Sequence, residues 1–134
     1  MAGEAVVQAA IALVGVPFRL HGRCPESGVD CVGLAWLSMR GGGVRLPDPP
    51  AYKLRAGAMP MLAGWMRDAA MAPAHDRWPG DLLVVQAGTF QPHLLIDVGG
   101  QCAVHAHAGV GRVVLTPVPV EWPILSRWRP RAGA

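Results

Sequence analysis

With 134 residues, 51% of them hydrophobic and 16% charged, the chain suits a single domain over residues 1–134 and excludes a disordered protein. Twelve basic against nine acidic side chains give a net charge of +3, but the arginines are scattered without interleaved aromatics, which argues against a nucleic-acid partner. No apolar run is long enough to span a membrane.

The opening run AVVQAAIALVGV is apolar, yet Glu4 stands where a secretory signal needs basic residues and no small-residue cleavage site follows. The expectation is a chain without a signal peptide, made in the cytoplasm. Residues 4 to 14 have high helix propensity and stop at Gly15 and at Val16, which precedes Pro17, so a first helix is predicted there. FRLHGRCPESGVD is punctuated by Gly, Pro and Ser and reads as a loop. A second helix is predicted over residues 31 to 40, capped by Asp30, or by Ser27 if its first turn begins early, and stopped by Gly41 to Gly43. Its apolar positions Val32, Leu34, Ala35, Leu37 and Met39 cover much of its surface, so it is expected to be largely buried. VRLPDPPAY is a proline-rich crossing, and a third helix is predicted over residues 58 to 71.

After DRWPGD the pattern changes to short β-type runs, LLVVQA, HLLIDV, AVHAHA, RVVLTPV and a weaker ILSRW, separated by Gly or Pro. Helices followed by strands predict an α+β domain, with N-terminal helices packed on an antiparallel sheet of about five strands.

Three cysteines, an odd number, do not suggest a disulfide framework. Cys31 is the one placed for chemistry, because a thiol in the first turn of a helix faces unpaired N–H groups and the positive end of the dipole, which favour its thiolate. A nucleophilic thiol also needs a base, and a third group to orient that base. His75 lies in a polar turn and is expected to be exposed, whereas His21 lies in the loop ten residues before Cys31. Strand alternation puts His93, Leu95 and Asp97 on one face, and Ala103, His105 and His107 together on one face of the next strand. A two-residue turn between these strands would set His93 against Ala106. A three-residue loop, or a bulge, would set it directly across from His105, so a catalytic reading requires that irregularity. A small buried core cysteine and two satisfied strand histidines are the structural alternative.

The stretch GVPFRLHGRCPESGVDCVGLAW resembles the signature of the NlpC-type cell-wall cysteine peptidases: a Pro-aromatic pair, a Gly-containing loop, and Asp-Cys before a helix. WPGDLLVV is similar to that family's strand entry, and HLLIDVGGQCAVHA to its two histidine strands around a glycine turn. The resemblance runs from residue 14 to about 116 with its parts in order, and the length and the ending WPILSRWRPR look like the family's phage-tail and gene-transfer-agent branch. It implies a papain-like α+β fold in which Cys31 is the nucleophile, His93 the general base and His105 its polar orienter. It implies hydrolysis of amide bonds in peptidoglycan stem peptides, commonly next to a D-glutamyl residue. The backbone N–H of Cys31 would help hold the oxyanion, a contribution worth about 3 kcal/mol in other enzymes.

Residues expected to meet substrate are Phe18, His21, Asp30, Val32, Trp78 and His107. Asp30 resembles an aspartate associated with binding the amino end of the stem peptide, and the same residue serves equally as an N-cap. The chain departs from the family where Phe18 replaces a tyrosine, Val32 a serine, and Gln91 and Pro92 precede His93 in place of glycine. Asp81 is read as an anchor of the WPGD turn, Cys24 and Cys102 as incidental thiols, and the remaining tryptophans as core. No cofactor or metal is expected. Peptidoglycan is the expected partner, with phage-like tail proteins as further partners, and delivery to the wall would then be by a phage-like particle or by lysis. Two other readings stay open: a non-catalytic wall-binding or structural component of a tail, and a zinc module built from its cysteines and histidines, although these lack paired zinc-ligand spacing.

Overall fold

The computed structural model describes residues 2–49, 64–68, 71–88, 91–118 and 122–130. Helix α1 covers Ala2–Ala12 and helix α2 covers Cys31–Gly41. Between them, β1 (Arg23–Cys24) and β2 (Gly28–Val29) form a small antiparallel ribbon inside the segment expected to be irregular. The third predicted helix falls mostly outside the described residues, but residues 64–68 are helical. The strands that follow are β3 (Met71–Pro73), β4 (Leu82–Gly88), β5 (Gln91–Gly99), β6 (Cys102–His107), β7 (Arg112–Pro117) and β8 (Ile124–Pro130).

All six form one antiparallel sheet in the order β3-β8-β4-β5-β6-β7. The α+β class matches the expectation, with one strand more than the five read from sequence. The additional strand, β3, has three residues and ends in proline, too short to carry an alternation signal. It exists through its pairing with β8 at the sheet edge.

Helix α2 starts where its sequence says it should. Asp30 has extended backbone angles, and its side chain accepts a 2.8 Å hydrogen bond from the Gly33 N–H. At the far end the Gly42 N–H closes back onto the Ser38 and Met39 carbonyls. The two helices pack on each other and on β5, and α2 also touches β6. This helical layer and one face of the sheet enclose the main core, including Val6, Ala10, Leu34, Met39, Leu82, Val84, Leu94, Ile96, Val104 and Trp128. The alternate residues Leu83, Val85, Leu95 and Ala103 form a second cluster on the other face, with Val118 and Trp122 against it. That face also buries an ion network in which Arg127 Nη1 bonds Asp81 at 2.9 Å and Asp97 at 3.1 Å, and Arg129 Nε bonds Asp81 at 2.8 Å. Asp81 thus anchors the WPGD turn to β8.

The β5–β6 connection contains the irregularity on which the histidines depend. Ile96 pairs with Val104 and Asp97 with Ala103, but Gly99 pairs with Cys102, so Val98 is a bulge and the register shifts by one. Gly100 and Gln101 then make the turn with φ of 59° each, the left-handed pair that a two-residue hairpin needs. The bulge restores His93 and His105 to a common face. The pair is diagonal, whereas a directly opposed pair was expected: extending the Ile96↔Val104 register sets Leu95 opposite His105.

Candidate active site

A cleft of about 190 Å³ opens where β5 begins and β6 ends, and Cys31, His93 and His105 all line it. Each reaches it by a separate local cause. Cys31 is delivered by the Asp30 cap, which starts α2 at that residue. His93 is the third residue of β5, paired with Val85 of β4. His105 is brought to the same face by the Val98 bulge. His93 Nε2 and His105 Nδ1 are 3.0 Å apart, and their rings meet edge to face with centroids 5.2 Å apart.

Burial dominates the electrostatics. It lowers His93 to about 3 and His105 to about 4 from an ordinary 6.5, with neighbouring imidazoles adding to the effect: His105 and His107 act on His93, and His107 acts on His105. Both rings are therefore neutral near pH 7, and the 3.0 Å contact is a single N–H shared between them. Cys31 is 1% exposed, and burial pushes its thiol up to about 12. A hydrogen bond with the Leu94 backbone, and others at Val32 and Cys31 itself, pull the other way, while the Asp30 charge reinforces the rise. This corrects the expectation of a stabilised thiolate: loss of solvent outweighs the backbone hydrogen bonds that the thiol gains at this helix N-terminus.

The other expected substrate contacts divide. Phe18 and His107 line the cleft. Asp30 does not line it: the side chain is fully buried, one oxygen accepting from Gly33 N–H and the other from His21 N–H at 2.9 Å. Of its two candidate roles, capping is the one its geometry displays. His21 is exposed in a left-handed turn (φ 60°), contributing that backbone N–H and no cleft wall. Val32 is fully buried in the main core, because one step along the helix from Cys31 turns its side chain toward the sheet. Trp78 is half exposed beneath the Arg129 guanidinium, 5.7 Å from the ring centroid, just before β4. His93 pairs with Val85 in the middle of that strand, and Trp78 does not line the cleft.

Sequence reasoning missed Trp122, grouped there with core tryptophans, which closes one side of the cleft with centroids 5.6 Å from His93 and 5.8 Å from His105. It lies between strands, where no periodicity marks a side chain as facing a site. Ala87, Ala106, Ala108 and Gly109 complete the wall, small residues whose only signal is the space they leave. Among the described residues, no three His, Cys, Asp or Glu side chains are grouped to hold a metal ion.

Helices layered on an antiparallel sheet, with a cysteine at a helix N-terminus beside two strand histidines, define the class of a papain-like α+β domain with a Cys-His-His cleft. The sequence matches the family model described as the NlpC/P60 family over residues 15–121, and the chain belongs to that family. No curated protein matches the sequence. Among solved structures, NlpC1 from Trichomonas vaginalis is similar at 17% identity and a TM-score of 0.69, over 95% of this chain and 44% of that one. The NlpC/p60 domain of peptidoglycan hydrolase SagA shares 23% identity, with a TM-score of 0.65, over 95% of this chain and 97% of that domain. The peptidoglycan hydrolase RipB from Mycobacterium tuberculosis shares 23% identity, with a TM-score of 0.62, over 95% and 63% respectively. The chain spans about half the length of NlpC1 and of NlpC2 from the same organism.

Proposed function

We propose that this chain is a cysteine peptidase that hydrolyses amide bonds in peptidoglycan stem peptides, next to a D-glutamyl residue. The observation that supports it best is the meeting of Cys31, His93 and His105 at one cleft in a member of the NlpC/P60 family. Two similar structures being peptidoglycan hydrolases supports the substrate class.

The chemistry follows from the neutral resting pair. His93 Nε2 and His105 Nδ1 share one proton across 3.0 Å, and in the tautomer where His93 Nε2–H donates, His93 Nδ1 is the nitrogen left to take the thiol proton. As sulfur bonds the scissile carbonyl carbon, its proton passes to His93 Nδ1, and the hydrogen bond to His105 steadies the imidazolium that forms. Backbone N–H groups at the start of α2, that of Cys31 included, face the developing oxyanion. The C–N bond then breaks, the amine leaves with the His93 proton, and a thioester remains on Cys31. Water attacks that thioester, giving its proton to His93 and releasing the acid and the thiol.

Purified protein incubated with muropeptides of defined structure, with products identified by mass spectrometry, tests the reading. Cleavage at a stem-peptide amide supports it, and intact muropeptides at high enzyme concentration oppose it. The deep burial of Cys31 favours a second reading, a non-catalytic wall-binding part, which predicts retention on peptidoglycan with no bond broken. Carriage to the wall by a phage-like particle, or release by lysis, belongs to the same proposal, and co-sedimentation with such particles tests the first route.

A further inference from the structure

Trp122 stands apart from the other residues of the cleft. It is the one described side chain outside β5 and β6 in ring contact with both histidines, and it meets both edge to face, at interplanar angles of 87° and 88°. It is itself anchored, because it packs on the second apolar cluster of Leu83, Val85, Leu95, Ala103 and Val118. Rotation of either imidazole about its ring axis would break the 3.0 Å bond between them and drive an edge into the indole.

We propose that Trp122 is a positioning residue of this site, an aromatic clamp that holds the His93–His105 pair dry and hydrogen-bonded so that His93 Nδ1 stays free for the thiol. The inference deepens the peptidase reading and rests on it. Two effects of an indole on an imidazole oppose each other: its π-face attracts an imidazolium, and its bulk excludes the water that an imidazolium needs. Burial is the largest cause lowering both histidines, and the indole in edge-to-face contact with both rings is part of what covers them. The groups facing His93 from the surrounding elements are His105 and His107 of β6 and Cys31 of α2, with Asp30 behind the thiol. Its β4 neighbours Val85, Gln86 and Ala87 do not titrate. None of these is removed by a change at Trp122, so a shift in the His93 midpoint reports the clamp.

Ring-resolved NMR titration of the whole chain tests it, in the wild type, Trp122→Ala and Trp122→Phe. In the wild type the His93 ring is expected to remain neutral down to pH 5. In Trp122→Ala it is expected to titrate between pH 5 and 7, its acid constant shifted about a hundredfold or more, while Trp122→Phe restores most of the wild-type behaviour. The acid limb of kcat/KM should move with it. An unchanged His93 in Trp122→Ala, or a phenylalanine variant as displaced as the alanine one, overturns the inference. If Trp122→Ala does not fold, ¹⁵N spectra of the wild type decide: a His93 Nε2–H protected from exchange and near the indole protons supports the clamp, and a rapidly exchanging one refutes it. These titrations need no turnover. Loss of the peptidase reading would show instead as cleavage that survives Cys31→Ala.

Discussion

Acidification from pH 7 to 5 should destabilise the folded chain through the buried histidines. His93 is held at about 3 against an ordinary 6.5, so between those values the unfolded chain binds a proton that the folded chain refuses. The sign follows from linkage: a depressed histidine leaves stability intact above about pH 6.5 and removes it progressively as pH falls toward the folded value. With those two constants His93 alone costs about 2 kcal/mol at pH 5, almost none of it already lost at pH 7. His105, held at about 4, adds to this, but the two rings share one hydrogen bond and do not titrate independently, so the combined loss lies between about 2 and about 4 kcal/mol. Urea unfolding at pH 7, 6 and 5 measures it, a range in which ordinary carboxylates remain mostly ionised. His93→Gln, which removes one of the coupled groups, should reduce the loss by roughly half. Equal stability at pH 7 and 5, or a His93→Gln slope as steep as wild type, would refute the view that burial keeps these rings neutral.

Arg127→Met should lower stability by about 3 to 5 kcal/mol in denaturant unfolding, because Asp81 and Asp97 would stay buried without their shared cation. Gly33→Ala should destabilise by about 1 to 3 kcal/mol although alanine favours helix, since a Cβ there would overlap the Gly22 carbonyl; unchanged stability would argue against that close approach. With iodoacetamide at pH 8, peptide mapping should find exposed Cys24 modified well before buried Cys31, and the reverse order would contradict a protonated, enclosed Cys31 thiol.

Much of this was legible in the sequence, for reasons tied to particular residues. Asp30 and the glycines after Arg40 bound α2 because capping is a local interaction, and alternation in HLLIDV and CAVHAH assigned the two histidines to faces. The need for a three-residue loop or a bulge was also legible, but not that it would be a bulge at Val98, because Gly99, Gly100 and Gln101 can share out a turn in more than one way. Strand β3 and the placement of Trp122 arise from long-range packing and leave no periodic trace. The thiol of Cys31 shows the limit most clearly: its helix-terminal position is written in the sequence, but the burial that raises it comes from residues distant in the chain that pack around it in the main core.

The most direct measurement compares the wild type with Cys31→Ala in the release of soluble fragments from purified peptidoglycan. Stem-peptide fragments are expected from the wild type and none above background from a folded Cys31→Ala. Undiminished release by the variant would contradict Cys31 as the nucleophile.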